Sequence, residues 1–186
     1  MGLLNDGINE VIVTTHHNAA PIGIISRNEK LRMTLYHGSH TAEQVISGGW
    51  VVANFLFDPV IYVTTAFDDL PAAAFMEETA GNFTVERLCS CEAWGAYQAT
   101  VERTTRESLL VSLLPLREEK EDLLLHPVNR GFNSIIDATV HGTRYKVTRD
   151  PELRDLIGYH AGIVKKCGGP REKEALALLF DYIDYP

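Results

Sequence analysis

The sequence has little cysteine and no excess of basic residues. Its three cysteines, Cys89, Cys91 and Cys167, are an odd number, which is typical of a reduced protein without a disulfide framework. Lys and Arg number 17 against 25 Asp and Glu, which gives a formal net charge of −8. Because nucleic-acid binding depends largely on cations that neutralise phosphates, this balance argues against a nucleic-acid partner.

Long apolar runs and targeting signals are also absent. Polar residues such as Asn54 and Asp58 interrupt the most apolar stretches well short of the length that a membrane span requires. The N-terminal residues lack a basic segment followed by an apolar one, which is the pattern of a secretory signal. We therefore expect a cytoplasmic protein with no membrane partner.

Several well-known catalytic motifs are missing from the sequence. It contains no GxGxxG fingerprint, no GxxxxGK[ST] phosphate loop, no HExxH pair and no GxSxG elbow. These absences argue against a dinucleotide fold, a nucleotide triphosphatase, a zinc metalloprotease and an α/β-hydrolase.

Strand patterns dominate the first two-thirds of the sequence, and helix patterns dominate the last third. β-branched and apolar segments predict strands over 10–16, 21–27, 31–37, 50–57, 93–107 and 108–119. Capping and proline signals predict short helices at 39–49 and from Asp58, a helical turn within 68–79, and three helices that begin at Pro127, Pro151 and Pro170. We predict an α+β chain, with a small β-barrel and short helices in residues 1–125 and a helical segment of about three helices in residues 126–186.

The segment TTHHNAAPIGI, residues 14–24, contains two adjacent histidines that suggest a metal site. Adjacent residues of a regular strand point to opposite faces, so we expect His16 and His17 not to bind one metal ion. Thr14 and Asn18 share a face of such a strand and offer hydrogen-bond donors and acceptors. The segment is either an ordinary polar turn or a surface for a ligand.

The second half of the same segment has features that suit a ligand. The small side chains of Ala19 and Ala20 allow a ligand to approach the main chain. Pro21 has no backbone N–H to donate, so it belongs at the start or the edge of a strand. Gly38, Ser39 and Thr41 have two possible roles. They either cap a helix in the ordinary way or bind a phosphate at the helix N-terminus.

Three further polar positions lie outside this segment. Asn54 interrupts a strand that is otherwise apolar, and its amide needs a hydrogen-bond partner from the backbone or from a ligand. Asp58 precedes Pro59 in a typical helix start. On the first C-terminal helix, which also carries Arg130, a polar stripe is formed at i, i+4 and i+8 by Asn129, Asn133 and Asp137. The stripe is either a solvated face, or a surface that binds a ligand's phosphate or locks the helix onto the barrel.

Three segments in this order, EVIVTTHHNAAPIGI, VVANFLFDPVIY and NRGFNSIIDATVHGTR, resemble an uncharacterised family of archaeal and bacterial proteins, domain of unknown function 447. That family is similar to the FMN-binding split barrels, which include flavin reductases and pyridoxamine-phosphate oxidases. The resemblance covers nearly the whole chain. One departure is the turn between Thr15 and Asn18, which is shorter than the family's usual glycine-containing hairpin.

The resemblance implies an FMN-binding split β-barrel and a homodimer that holds FMN at the subunit interface. It implies FMN contacts at Thr14, Thr15, Asn18, Ala19, Ala20, Pro21, Asn54, Asp58, Asn129 and Arg130. The function that it favours is an oxidoreductase that uses bound flavin for hydride or electron transfer. The alternatives are a non-enzymatic flavin carrier, store or sensor, and a barrel without a cofactor that acts through protein partners. No catalytic acid or base is predicted.

Overall fold

Two compact units make up the computed structural model of this chain, which describes residues 2–185. The first unit comprises residues 2–56 and Leu70–Leu124, and the second comprises Phe57–Asp69 and residues 125–185. The sequence predicted one boundary after residue 125, whereas the contacts group the segment 57–69 with the C-terminal helices. That grouping follows from packing, because Val63 is part of the apolar core that the C-terminal helices form.

Six antiparallel strands of the first unit form a closed barrel. The strands are β1 (Gly7–Thr15), β2 (Asn18–Arg27), β3 (Lys30–Tyr36), β4 (Trp50–Phe55), β7 (Ala93–Thr104) and β8 (Ser108–Lys120). Their order around the barrel is β1–β2–β3–β8–β7–β4. The six strands confirm the predicted barrel, and their bounds lie close to the predicted ones.

Apolar side chains from all six strands fill the barrel interior. Val11 and Val13 on β1, Met33 on β3, Val51 on β4 and Tyr97 on β7 are among the fully buried members. Their spacing follows strand alternation, in which every second residue faces the same side of the sheet. The Tyr97 hydroxyl lies in this core, and burial raises the pKa of Tyr97 above its ordinary value.

The polar segment Asn28-Glu29-Lys30 between the predicted strands 21–27 and 31–37 indicates a hairpin, and the structure confirms it between β2 and β3. Asn28 and Glu29 both have positive φ angles, of 50° and 62°. Two consecutive residues in the left-handed conformation form the two-residue turns whose twist matches that of the flanking strands. The strands pair on either side of this turn through Arg27 and Lys30.

Helix α1, His40–Gly48, lies between β3 and β4 in the chain. Its N-cap is Ser39, whose hydroxyl accepts a hydrogen bond from the Ala42 N–H at 3.3 Å. Its C-cap is Gly49, with a φ of 69°, a conformation that glycine adopts without a steric cost. The sequence offered Ser39 or Thr41 for the start and Gly48-Gly49 for the end, and the structure uses Ser39 and Gly49.

A second sheet has two strands, β5 (Phe75–Ala80) and β6 (Phe83–Leu88). The predicted helical turn within 68–79 is correct only for the 3-10 turn Ala72–Ala74, and the chain is a strand from Phe75 onward. The pairing with β6 outweighs the moderate helix propensity of Met and Glu in this segment. The turn residue Gly81 has a φ of 59°, which suits a tight hairpin.

Four helices form the second unit. They are α2 (Pro59–Phe67), α3 (Arg130–Thr148), α4 (Pro151–Cys167) and α5 (Pro170–Ile183). Their buried apolar faces meet in one core, in which Ile135, Ile157, Leu179 and Ile183 are fully buried. The three C-terminal helices confirm the prediction, and α4 and α5 begin at the predicted prolines.

The start of α3 differs from the predicted one. The helix begins at Arg130 rather than at Pro127, because Asn129 is its N-cap. The Asn129 side chain accepts hydrogen bonds from the N–H groups of Gly131 at 2.8 Å and Phe132 at 3.4 Å. Asparagine is among the strongest N-cap residues, whereas proline is merely tolerated in the first turn of a helix. No helix among residues 2–185 is long and apolar enough to cross a membrane.

Candidate functional site

The motif around residue 14 forms the end of β1 and the start of β2. Thr14 and Thr15 are buried, and Asn18 is only 7% exposed. The Asn18 amide donates to the hydroxyls of Thr15 at 3.1 Å and Thr41 at 3.0 Å. These hydrogen bonds connect the hairpin to α1, and they give three polar side chains partners within the protein.

Asn54 lies in a buried network that connects β1, β4 and β6. Its Nδ2 donates to the Ile12 carbonyl and to the Thr14 hydroxyl, both at 3.0 Å. Its Oδ1 accepts from the Leu88 N–H at 2.7 Å, and the Thr14 hydroxyl donates to the Glu86 carbonyl at 2.6 Å. Of the two partners that the sequence left open for Asn54, the structure supplies the protein backbone.

Strand β2 has a backbone edge that is only partly paired. Residues 18–26 pair with β1, but only residues 25–27 pair with β3. Within residues 2–185, no strand pairs with the other edge of residues 18–24. Alternate residues of an antiparallel strand turn their N–H and C=O groups away from the partner strand. Ala19, Ala20 and Pro21 lie on this edge, and Ala20 and Pro21 are partly exposed.

His16 and His17 form the two-residue turn between β1 and β2. The expectation that strand alternation separates their side chains is wrong, because turn residues do not alternate between two faces. The two rings lie 4.3 Å apart. His16 Nδ1 lies 2.7 Å from Glu86 Oε1, and His17 Nδ1 lies 3.1 Å from Glu86 Oε2.

Asp58 is the N-cap of α2, as its position before Pro59 predicted. Its carboxylate accepts from the Val60 N–H at 2.9 Å. It also accepts two hydrogen bonds from the Arg171 guanidinium on α5, at 3.1 and 2.7 Å. The hydrogen bonds to Asp58 raise the pKa of Arg171 further above its ordinary value. Asp58 therefore connects two helices of the second unit.

Asn129 and Arg130 have different environments at the start of α3. Besides its capping role, Asn129 donates through Nδ2 to the carboxylate of Glu172 at 3.0 Å. Glu172 is buried and accepts the Gly169 N–H at 2.8 Å. Arg130 is exposed, and it has no ion-pair partner in the described part of the chain. Its guanidinium is thus available to an anion.

Glu86 is the main residue of this region that the sequence did not indicate. It is 4% exposed and lies on β6, a strand that the sequence patterns did not predict. The Gly81-Asn82 pair between two short β-prone segments was the available signal, because such pairs are typical of tight hairpins. The contact of Glu86 with His16 joins residues about 70 positions apart, which no local sequence pattern can reveal.

Arg87 follows Glu86 in β6 but belongs to a different charge cluster. Its guanidinium pairs with Glu78 at 3.1 Å and with Glu121 at 3.2 Å. Cys91 lies 3.8 Å from the same guanidinium, and burial raises the pKa of its thiol. Because Arg87 is engaged by these two carboxylates, the cation nearest to Glu86 in the sequence is not its ion-pair partner.

The closed six-stranded antiparallel barrel, the second small sheet and the three C-terminal helices match the fold of the FMN-binding split barrels. The chain belongs to the DUF447 family. Residues 9–122 match the model described as the N-terminal domain of a protein of unknown function (DUF447), and residues 129–181 match the model of a protein of unknown function (DUF447). This membership confirms the resemblance that the sequence segments indicated.

The chain is similar to several solved structures, to very different degrees. An FMN-bound DUF447 protein of Methanosarcina mazei is 35% identical, covers 96% of each chain and superposes with a TM-score of 0.91. An FMN-binding protein of Thermus thermophilus is 11% identical, covers 65% of this chain and 75% of its own, and has a TM-score of 0.49. A flavoredoxin of Methanosarcina acetivorans is 11% identical, with coverages of 66% and 76% and a TM-score of 0.47. The last two likenesses are too low to carry an argument about function.

Proposed function

We propose that this chain binds FMN and is an oxidoreductase that uses the flavin for hydride or electron transfer. The observation that carries the proposal is the similarity to the FMN-bound protein of Methanosarcina mazei, at 35% identity over 96% of both chains. A flavin performs the redox chemistry itself, so the protein contributes binding, orientation and electrostatics. The chain therefore needs a surface that recognises a planar ring system and a phosphate.

The open edge of β2 is the surface that we assign to the flavin ring. The edge carries backbone polar groups of alternate residues along Ala19, Ala20 and Pro21, of which Pro21 offers only a carbonyl acceptor, and the small side chains leave it accessible. The rim of the isoalloxazine ring also alternates donors and acceptors, and hydrogen bonds there tune its electronics. In this assignment Thr14, Thr15, Asn18 and Asn54 act mainly by holding the edge in place through their buried hydrogen bonds.

The phosphate assignment rests on the second unit. Arg130 offers an exposed guanidinium, which suits a phosphate because it donates several hydrogen bonds in one plane. For Asp58 and Asn129, the N-caps of α2 and α3, an FMN contact stays what the family resemblance implies. The proposal includes a homodimer with FMN at the subunit interface, as the family resemblance implies. Sedimentation or size-exclusion measurements test the dimer.

An Ala20→Leu variant tests the ring assignment. A leucine at this edge occupies the space that a planar ring needs, so we expect the FMN dissociation constant to rise at least tenfold, about 1.4 kcal/mol. The matched control is Ala72→Leu, an exposed alanine in the 3-10 turn of the same unit. The measurement is a titration of FMN-free protein with FMN, followed by flavin fluorescence. Equal affinities of the two variants would refute the ring assignment.

Reduction experiments separate the enzyme from the flavin carrier. Without oxygen, the FMN-loaded protein is mixed with NADH or NADPH, and the flavin absorption is followed in time. Rapid bleaching by either donor supports the oxidoreductase. Failure of both donors and of other hydride donors to bleach the bound flavin would favour a carrier, store or sensor.

A further inference from the structure

We propose that His16, His17 and Glu86 form a binding site for a divalent transition-metal ion. One ligand atom from each of the three residues lies within 4.8 Å of the other two. The site is separate from the flavin proposal, because it uses the turn between β1 and β2 rather than the open edge of β2. Neutral imidazoles and a carboxylate are ligands that zinc and its first-row neighbours accept.

The distances between the ligand atoms are close to those of a metal site. Zinc ligands about 2.0–2.1 Å from the ion lie about 3.3 Å from one another at tetrahedral angles. In this cluster, His16 Nδ1 is 2.7 Å from one Glu86 oxygen and His17 Nδ1 is 3.1 Å from the other. A small outward rotation of the two rings admits the ion. The two side chains are 70% and 58% exposed, so burial does not block such a rotation.

The carboxylate of Glu86 is a buried anion that needs a countercharge. Its side chain is 5% exposed, and within residues 2–185 its carboxylate is bonded by the His16 ring, the His17 ring and the His17 N–H. Burying an unpaired carboxylate costs several kcal/mol. Arg87 is engaged by Glu78 and Glu121, so it does not supply the charge. A divalent ion between the histidines and Glu86 would neutralise it.

The carboxylate is also held in place, as a metal ligand needs to be. The His17 N–H donates to Glu86 Oε2 at 2.7 Å, and the Glu86 carbonyl accepts the Thr14 hydroxyl at 2.6 Å. Hydrogen bonds that orient a ligand are the usual surroundings of a metal site. The ion would thereby clamp the turn between β1 and β2 onto β6.

The backbone conformation of His17 in this turn suggests a variant that tests the metal site. His17 has a φ of 48°, a left-handed conformation that glycine and asparagine adopt more readily than histidine. A glycine at this position would relieve the turn but would remove the imidazole. A His17→Gly substitution therefore removes one ligand without straining the turn.

Zinc titration of the purified full-length protein tests this site after treatment with a chelator. We expect one Zn²⁺ per chain by calorimetry, together with a rise in the unfolding temperature. His17→Gly is the decisive variant, because it relieves the turn while removing one ligand, so the protein should fold. We expect it to weaken zinc binding at least tenfold, and Glu86→Gln to do the same. The matched control is His40→Ala, an exposed histidine outside the cluster, which should bind zinc normally.

Two results would overturn the proposal. The first is the absence of binding of Zn²⁺, Co²⁺ or Ni²⁺ at millimolar concentrations to the chelator-treated protein. The second is unchanged zinc binding in a folded His17→Gly variant, which would place the metal elsewhere. Neither result would affect the FMN proposal, because FMN content is measured separately on the same samples by absorption.

Discussion

A Thr14→Val substitution tests whether the buried polar network around Thr14 stabilises the fold. Valine has nearly the shape of threonine, so the substitution removes the hydroxyl without opening a cavity. Thr14 is fully buried, and its hydroxyl donates to the Glu86 carbonyl at 2.6 Å and accepts from the Asn54 amide at 3.0 Å. Both interactions disappear in the variant, and the Glu86 carbonyl loses a buried donor.

The expected cost can be worked out from these contacts. A buried acceptor that loses its partner costs about 1–3 kcal/mol, and Asn54 keeps its bond to the Ile12 carbonyl at 3.0 Å. We therefore expect the free energy of unfolding to fall by about 1–3 kcal/mol. For a chain of this length, each kcal/mol corresponds to about 2–4 °C in the unfolding midpoint, which gives a fall of roughly 2–12 °C.

The assay is chemical and thermal unfolding of FMN-free protein, followed by circular dichroism. The matched control is Thr34→Val, an exposed threonine on a barrel strand, for which we expect a change within about 0.5 kcal/mol. If Thr14 acted only as an FMN contact, the FMN-free variant would be as stable as the control. That outcome would refute the structural role of the buried network.

Three further predictions concern other parts of the fold. Gly131→Ala should destabilise the protein, because the added Cβ would lie 2.5 Å from the Gly168 Cα. Gly162→Ala meets no atom within 4 Å and should stabilise the helix by about 0.5–1 kcal/mol. Thermal unfolding compares the two variants. Because the pKa of Tyr97 is raised in the folded protein, the folded chain keeps the phenol proton at a pH where the unfolded chain loses it. The free energy of unfolding should therefore fall as the pH rises above about 10. Urea titrations at several pH values should show a smaller fall for Tyr97→Phe. Asp58→Ala removes a helix cap and an ion pair and should cost about 1–2 kcal/mol, whereas Asp58→Asn keeps the cap and should cost less; equal losses would contradict the capping role.

The elements with local signals could be predicted from the sequence. Ser39 and Gly49 cap α1, Asp58 caps α2, and Pro151 and Pro170 begin α4 and α5, as the local residue types indicated. Capping and turn preferences depend on a few neighbouring residues, so one sequence is enough to read them. The barrel strands were found for the same reason, because their alternation is local.

The remaining features depend on contacts that the sequence does not encode locally. The strand from Phe75 exists because it pairs with β6, and the helix propensity of its residues indicated another structure. The histidine pair was placed on a regular strand, although the chain turns at His16 and His17. Glu86 lies on β6 of the second sheet and contacts that turn across about 70 positions of sequence. These long-range contacts changed the interpretation of the first motif most.

Cofactor content of the purified protein is the most direct test of the central claim that this chain binds FMN. The measurement is the visible absorption spectrum of the desalted full-length protein, together with the identity and amount of the flavin released on denaturation. The account predicts a yellow protein, or a colourless one that takes up added FMN, with one FMN per chain. A protein that stays colourless after incubation with FMN and desalting would contradict it.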